Sequence, residues 1–433
     1  MNLKKLVAFG LGLTLSTTLL GKEKVVFWHS MSGGLQTSLN KIVSDYNSSQ
    51  NNVEIEAIYQ GSYEETIGKF KAISGTKDAP TLIQMNDIST SFMYNSGAIT
   101  PMQNFIEQDK FDVNTLEDAL LNYYRIDGKL YSMPFNSSTA IMIYNKDAFR
   151  EAGLDPNTPP KSYAEFAEYS KKLVKKNSNG SVDRYGSAVL MYGWFIEQFL
   201  ANDGVTYVDK NNGRTGETPT SVTYKKDLPK ILEFLRGMYK DGSATSYGRD
   251  WDSIRTAFSS GKVAMYFDSS AGIKGVINNS NFEVGTGFVL NESGNFNGSV
   301  VGGASLWITN SSADSTQKAA WDFIKYATSK DVQSYWSINT GYYPVNKASY
   351  DTAEMKQNME QYPQFGTAVA EIKETKPSYS TQGAIIGVFP ELRDKMVEAM
   401  EANYEGKTSV SKIVDKHVAD SDRIIQRYNR INK

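Results

Sequence analysis

Apolar and polar positions alternate along the chain in short blocks of two kinds. Val25-Val26-Phe27-Trp28 is an apolar run of strand length, and Val53, Ile55, Ala57 and Tyr59 recur at every second residue, as one face of a strand does. Between them Leu35, Leu39, Ile42, Val43 and Tyr46 repeat at helical spacing. A helix over 64–73 and a strand over 81–85 complete the order strand, helix, strand, helix, strand. That order is an α/β signature and favours a mostly parallel sheet. It places ligands beyond the carboxyl ends of strands, here the loops after Tyr59 and Met85.

A second unit follows Ser132-Met133-Pro134, with a strand at 140–144 and a short helix at 146–152. Gly153-Leu154-Asp155-Pro156 reads as a turn, and Ser162-Tyr163-Ala164-Glu165 as a capping box opening a helix that runs to about residue 175. Further helices fit 194–200, 228–239 and 254–260, and a strand fits 263–267. Ser269-Ser270-Ala271-Gly272 then reads as a helix opening. A strand at 305–309 and a helix at 315–328 follow. The tail, 410–428, is amphipathic, with Ile413, Val414, Val418, Ile424 and Ile425 on its apolar side. There is no fixed-period repeat and no Pro- or Ser-rich linker, which fits two lobes interwoven by several chain crossings rather than two independent domains.

Composition narrows the chemistry. The 433 residues carry 46 Lys and Arg against 48 Asp and Glu, so the charge balance gives no reason to expect nucleic acid as a partner. The absence of Cys excludes disulfides, thiol nucleophiles and Cys-ligated metals. With only His29 and His417, a multi-His metal site is not expected, and no metal or cofactor is. No catalytic residues are expected either: there is no G-x-x-x-x-G-K-[ST] loop, no H-E-x-x-H and no G-x-S-x-G. Paired carboxylates of glycosidase type are too easily found by chance among 48 acidic residues to count as a signal. His417 lies in the tail helix, as a surface or packing residue. His29 follows the first strand and is read as structural or at a cleft rim. Residues 1–21 read as a cleaved secretory signal: Lys4 and Lys5, an apolar stretch from Leu6 to Leu20, then small Gly21 before the charged residues 22–24. A soluble periplasmic protein is the expectation.

A series of motifs then matches a known family in order. It runs through Phe27-Trp28-His29-Ser30-Met31, Tyr59-Gln60-Gly61-Ser62-Tyr63-Glu64, Ala79-Pro80 and Gln84 before Asp87. Pro134-Phe135-Asn136-Ser137-Ser138-Thr139, Tyr144-Asn145-Lys146-Asp147-Ala148-Phe149 and Ala152-Gly153-Leu154-Asp155-Pro156 follow. Gly302-Gly303-Ala304-Ser305-Leu306-Trp307 and Thr340-Gly341-Tyr342 complete it. Together these closely resemble the periplasmic glycerol-3-phosphate-binding proteins of bacterial ABC importers, within extracellular solute-binding family 1, over nearly the whole chain.

The resemblance implies a two-lobe periplasmic-binding-protein fold with a hinge and an interlobe ligand cleft. It implies a small phosphate-ester ligand, glycerol 3-phosphate or a glycerophosphodiester such as glycerophosphocholine. The partners would be the permease subunits of an ABC importer, and the receptor a monomer. A sugar or oligosaccharide receptor of the same family is the alternative; a secreted hydrolase and an adhesive protein are more distant ones. By position, the resemblance assigns ligand contacts to Tyr63, Asp87, Ser138, Ser269, Gly303, Tyr342 and Arg393. Asp87 is one methylene shorter than the family's Glu. Trp194 matches one of two pocket Trp, and Met191 replaces the other. As chemistry the set is coherent. Arg393 offers a guanidinium fork, the two serines and Tyr342 hydroxyls, Gly303 a close backbone approach, Asp87 an acceptor for glycerol hydroxyls, and Tyr63 and Trp194 flat walls.

Taken residue by residue, other roles fit too. Arg393 suits a surface ion pair, Gly302-Gly303 a tight turn, Ser138 and Ser269 caps, Tyr342 and Trp194 core aromatics, and Asp87 a helix N-cap. The lobes are expected at 22–135 with 271–329, and at 136–270 with 330–433.

Overall fold

A computed structural model describes residues 21–431, so residues 1–20 of the expected signal segment lie outside the described residues. Two mixed sheets organise the chain. The first contains β1 (Glu23–His29), β2 (Val53–Tyr59), β3 (Leu82–Asn86), β4 (Ile99–Thr100), β7 (Met133–Ser138) and β14 (Gly302–Thr309); a small hairpin, β5 (Arg125–Ile126) and β6 (Lys129–Leu130), precedes β7. The second contains β8 (Ala140–Asn145), β9 (Lys175–Lys176), β10 (Val182–Ala188), β11 (Ala244–Thr245), β12 (Val263–Ser269) and β13 (Val284–Gly287).

The two sheets divide the molecule into two lobes. β1 pairs in parallel with β2 and β3, but β14 runs antiparallel to β3, β4 and β7. In the second sheet β10 is parallel to β11 and β12, while β8 is antiparallel to both β12 and β13. The sheets are therefore mixed rather than mostly parallel. Both antiparallel intrusions come from strands that re-enter a sheet from the other lobe or from a distant part of the chain.

The first sheet is covered on both faces. Val25, Phe27, Leu82, Leu306 and Ile308 point into one core, closed by Trp321, Phe323 and Trp336. Ile83, Met85 and Trp307 point into the other, under Ile67 and Phe70. The two-residue period of β1, β3 and β14 dictates this split. In the second lobe, β8 is buried at every position, as a strand covered on both faces must be. The tail helix Val410–Ile431 buries Val410, Ile413, Val414, His417, Val418 and Ile425 and packs on the helices Phe389–Glu405 and Leu228–Lys240. Among the described residues no helix is long and apolar enough to cross a membrane.

The chain crosses between sheets at Ser138–Ala140, where β7 passes into β8, and between β13 and β14. β13 belongs to the second sheet, which differs from the expected return of 271–329 to the first lobe as one piece. Its glycines explain the pairing: a Cβ on Gly285 would stand 2.3 Å from the Tyr144 ring, so the bare backbone lets Tyr144 of β8 lie across it. Trp336, Tyr342, Tyr343 and Val345 likewise join the first lobe's core, although 330–433 was expected in the second. They do so because the helix Lys330–Thr340 packs on the helix Gly33–Ser49.

Candidate ligand-binding site between the lobes

At the seam of the lobes a buried guanidinium meets two buried carboxylates. Arg393 sits in the helix Phe389–Glu405, one turn past Pro390, which starts that helix. Its Nε donates to Glu197 Oε1 at 2.7 Å and its Nη2 to Glu197 Oε2 at 2.7 Å, a bidentate pair within the second lobe. Nη2 also reaches Asp87 Oδ2, at 3.3 Å, from the first lobe. Asp87 is the first residue after β3, at the carboxyl end of a parallel strand, where an α/β sheet presents its loops. All three side chains are about 5 % exposed. Arg393 is thus no surface ion pair, and the Asp87 carboxylate faces Arg393 rather than capping a helix.

Glycine lets the helices that carry this cluster approach. A Cβ on Gly193 would stand 2.9 Å from Arg393 Cγ, so the start of the helix Trp194–Asn202 lies directly against Arg393. Tyr192 and Phe389 flank the guanidinium, with ring centroids 5.6 and 5.5 Å from its carbon. Burial alone would pull the Arg393 pKa down, but Glu197 and then Asp87 outweigh it and hold the cation well above its usual range.

A second group of residues lines up along the β7–β14 pair. Tyr63 begins the helix Tyr63–Ile73, fixed by a capping box between Ser62 and Glu65. Its phenol oxygen accepts from Asn136 Nδ2 at 3.0 Å. Asn136 Oδ1 accepts from Gln84 Nε2 at 2.8 Å, and Gln84 Oε1 from the Ser30 amide at 3.0 Å. This relay holds Tyr63 at the seam. Burial, and then the neighbouring Tyr342, push the Tyr63 phenol well above its usual pKa, so both rings are neutral hydrogen-bonding walls. Tyr342 stacks on Trp336 at 5.5 Å, and the Tyr343 amide donates to the Ser137 carbonyl at 2.7 Å, placing Tyr342 beside Ser138.

Ser138 stands opposite Gly302 at the start of β14. Gly303 has φ +99°, and a Cβ there would stand 1.9 Å from the Asn136 carbonyl oxygen, so both conformation and space demand glycine. A Cβ on Gly302 would stand 2.4 Å from the Trp194 ring, which brings Trp194 of the second lobe onto the first lobe's sheet edge. The Trp194 Nε1–H is buried and has no hydrogen-bond partner among the described residues. Ser269 ends β12 beside Ala140, and its Oγ accepts from the Ala271 amide at 3.2 Å. The next residue, Ser270, donates its amide to the Thr139 carbonyl at 2.8 Å. All eight residues singled out from the sequence therefore lie along the interlobe seam. Met191 is buried behind it, its amide donating to Gly248.

Sequence reasoning missed Glu197, Asn136 and Tyr192. Glu197 carried a signal: it and Gln198 interrupt the apolar run Trp194-Phe195-Ile196 and Phe199-Leu200, and a carboxylate inside an apolar helix needs a cation. His29 is fully buried, and burial lowers its pKa to about 4, so it is a neutral structural residue. His417 packs against Tyr224, whose hydroxyl lies 2.8 Å from Nε2. Among the described residues no group of three or more His, Cys, Asp or Glu is arranged to hold a metal.

Burial pushes the Asp87 carboxyl up from 3.8 to about 6, against the pull of Arg393 and with the push of Glu197. A raised folded pKa means the folded protein holds the protonated form better. That stabilising contribution is complete below the unfolded pKa, near 4, and is lost as pH rises through about 6. At neutral pH the ionised Asp87 therefore destabilises the ligand-free fold by roughly 1–3 kcal/mol. Asp87→Asn is expected to stabilise the ligand-free protein by about that amount at pH 7, with the gain vanishing below about pH 4. Urea titrations at both pH values check this, and an Asn variant no more stable than wild type at pH 7 contradicts it.

The sequence model of the family described as bacterial extracellular solute-binding protein matches residues 41–365. The chain belongs to that family. Proteins of this kind bind small ligands and work with the permease subunits of ABC importers, and the chain is such a substrate-binding component, extracellular or periplasmic like its relatives. It is 31% identical over 436 residues to the sn-glycerol-3-phosphate-binding periplasmic protein UgpB of Yersinia pseudotuberculosis, covering 99% of this chain and 98% of that one. It is 30% identical to the protein of the same name in Shigella flexneri, covering 98% of each. Its fold matches the crystal structure of UgpB from Mycobacterium tuberculosis in complex with glycerophosphocholine, with a TM-score of 0.81 at 21% identity, over 94% of this chain and 100% of that one. It also matches the GacH receptor of Streptomyces glaucescens, solved unliganded and with acarbose, with a TM-score of 0.77 at 20% identity, over 93% and 98%. The two-lobe architecture of solute-binding proteins is therefore the fold of this chain.

Proposed function

We propose that this solute-binding protein captures glycerol phosphate esters, glycerol 3-phosphate and diesters such as glycerophosphocholine, in the periplasm and delivers them as a monomer to its importer. Arg393 is the observation that carries this reading. Its hydrogen bonds to Glu197 and Asp87 run from Nε and Nη2, which leaves Nη1 as the edge for a phosphate oxygen. The unpartnered Trp194 Nε1–H and the Ser138 and Ser269 hydroxyls are further donors along the same seam. Asp87, shared with Arg393, takes the glycerol hydroxyls, and Tyr63 and Tyr342 wall the site. The relatives named for sn-glycerol 3-phosphate and the structural match solved with glycerophosphocholine support the ester reading and rank a sugar receptor second. No covalent step is involved: lobe closure buries the ligand and the closed face is offered to the permease.

The charge count also ranks the esters. One guanidinium against two carboxylates leaves the cluster no positive excess for a doubly charged monoester. A singly charged diester with a cationic head asks less of it, and Tyr192 and Trp194 are suited to face a quaternary ammonium. Calorimetry on refolded, ligand-free protein is expected to show micromolar or tighter binding of both esters, glycerophosphocholine the tighter, and no response to glycerol or maltose. Maltose binding without ester binding would overturn the reading.

A further inference from the structure

A second arginine, half-buried, joins the lobes beside the site, where its partners Tyr123 and Gly383 line one cavity with Asp87 and Glu197. Arg214 follows Gly213 in a loop of the second lobe. Its Nη2 donates to the Gln382 carbonyl at 2.7 Å and its Nε to the Gly383 carbonyl at 2.8 Å, both in the second lobe. Its Nη1 crosses the seam and donates to the Tyr123 carbonyl of the first lobe at 3.1 Å, and the guanidinium carbon lies 4.8 Å from the centroid of the Tyr123 ring. Among the described residues no carboxylate pairs with it, and burial pulls its pKa down to about 10, still charged at neutral pH.

The acceptors are as telling as the donor. Tyr123 belongs to the last turn of the helix Asp118–Tyr124, where carbonyls have no partner within the helix and the helix dipole favours a cation. Gln382 ends the short helix Tyr379–Gln382, and Gly383 turns the chain with φ +78°. A Cβ on Gly383 would stand 2.7 Å from Val300 and 3.4 Å from the Tyr123 ring, so the seam is tight at this point. One planar fork thus gathers three carbonyls, two from one lobe and one from the other.

We propose that Arg214 is a positioning residue for solute capture, an interlobe latch that favours the closed cleft without touching the solute. The inference rests on the reading that the solute is held between closed lobes. Any solute that needs closure draws on the same latch, so its loss weakens every solute by one common factor, whereas loss of a ligand contact discriminates between solutes.

The test uses Arg214→Met, with Arg214→Lys as the variant that keeps charge and reach but not the fork. The chain has no Cys, so Gln108→Cys on the first lobe and Glu233→Cys on the second allow spin labels at two defined points. Arg214→Met is expected to weaken glycerol 3-phosphate and glycerophosphocholine by the same factor, about tenfold, through faster dissociation. The short-distance, closed population is expected to fall both with and without ligand, and Arg214→Lys to lie between. Unequal losses for the two esters make Arg214 a ligand contact and overturn the latch, as does an unchanged distance distribution. If wild type binds neither ester, the ester reading falls while the ligand-free distances still decide the latch. If Arg214→Met does not fold, Arg214→Lys decides it by the same two readouts.

Discussion

Arg393→Ala is expected to lower the affinity for either phosphate ester by roughly 2–5 kcal/mol and to lower the stability of the ligand-free protein as well. The first effect follows from removing the one cation at the proposed phosphate position. The second follows from Glu197 and Asp87, which are left buried side by side with no counter-charge; breaking a buried pair from one side costs about 3–5 kcal/mol. Arg393→Lys separates the two effects. A lysine keeps the charge but cannot make the bidentate Nε and Nη2 pair to Glu197, so most of the stability should return while much of the affinity does not. Calorimetry with glycerophosphocholine and urea unfolding measure the pair, and unchanged affinity in Arg393→Ala would remove this residue from the site.

Gly303→Ala is the second large effect. It acts through the backbone. The residue sits at φ +99°, and its Cβ would fall 1.9 Å from the Asn136 carbonyl oxygen, inside the β7–β14 pairing. Strain at φ and the shift of a paired strand together are expected to cost about 3 kcal/mol or more and to displace Asn136, the hydrogen-bond partner of Tyr63. Ligand binding should fall with it. Gly302→Ala meets the Trp194 ring instead, a side chain that can move, so it should cost less stability. Gly366→Ala, with nothing within 4 Å of a new Cβ, is the neutral control. Thermal unfolding orders the three, and a Gly303→Ala variant as stable as Gly366→Ala contradicts the account.

Most elements were legible because their apolar spacing is local. The period-two positions of β2, the run at β1, the capping box at Ser162 and the amphipathic tail all appear where the pattern puts them. β10, the helix Lys330–Thr340 and the helices between 353 and 382 were not read, and their sequences mix polar and aromatic residues without a clean period. Sheet direction was misjudged for a related reason: periodicity says which face of a strand is buried, not which strand lies beside it or which way it runs.

The site divides along the same line. Gly303, the serines at the ends of β7 and β12, and Asp87 after β3 could be named because the family resemblance assigns them by position, and each stands at a strand end in the fold. Glu197 and Arg393 lie 196 positions apart, and Arg214 and Tyr123 lie 91 apart. No local pattern announces that such residues share a hydrogen bond. The sequence by itself determined the α/β class, the absence of thiol chemistry and the family. Only the tertiary structure decided that Arg393 is held by two carboxylates, that Asp87 bridges the seam and that a second arginine joins the lobes. These are consequences of burial. A charge removed from water must find its partner wherever the fold brings one, and the fold brings it from the other lobe.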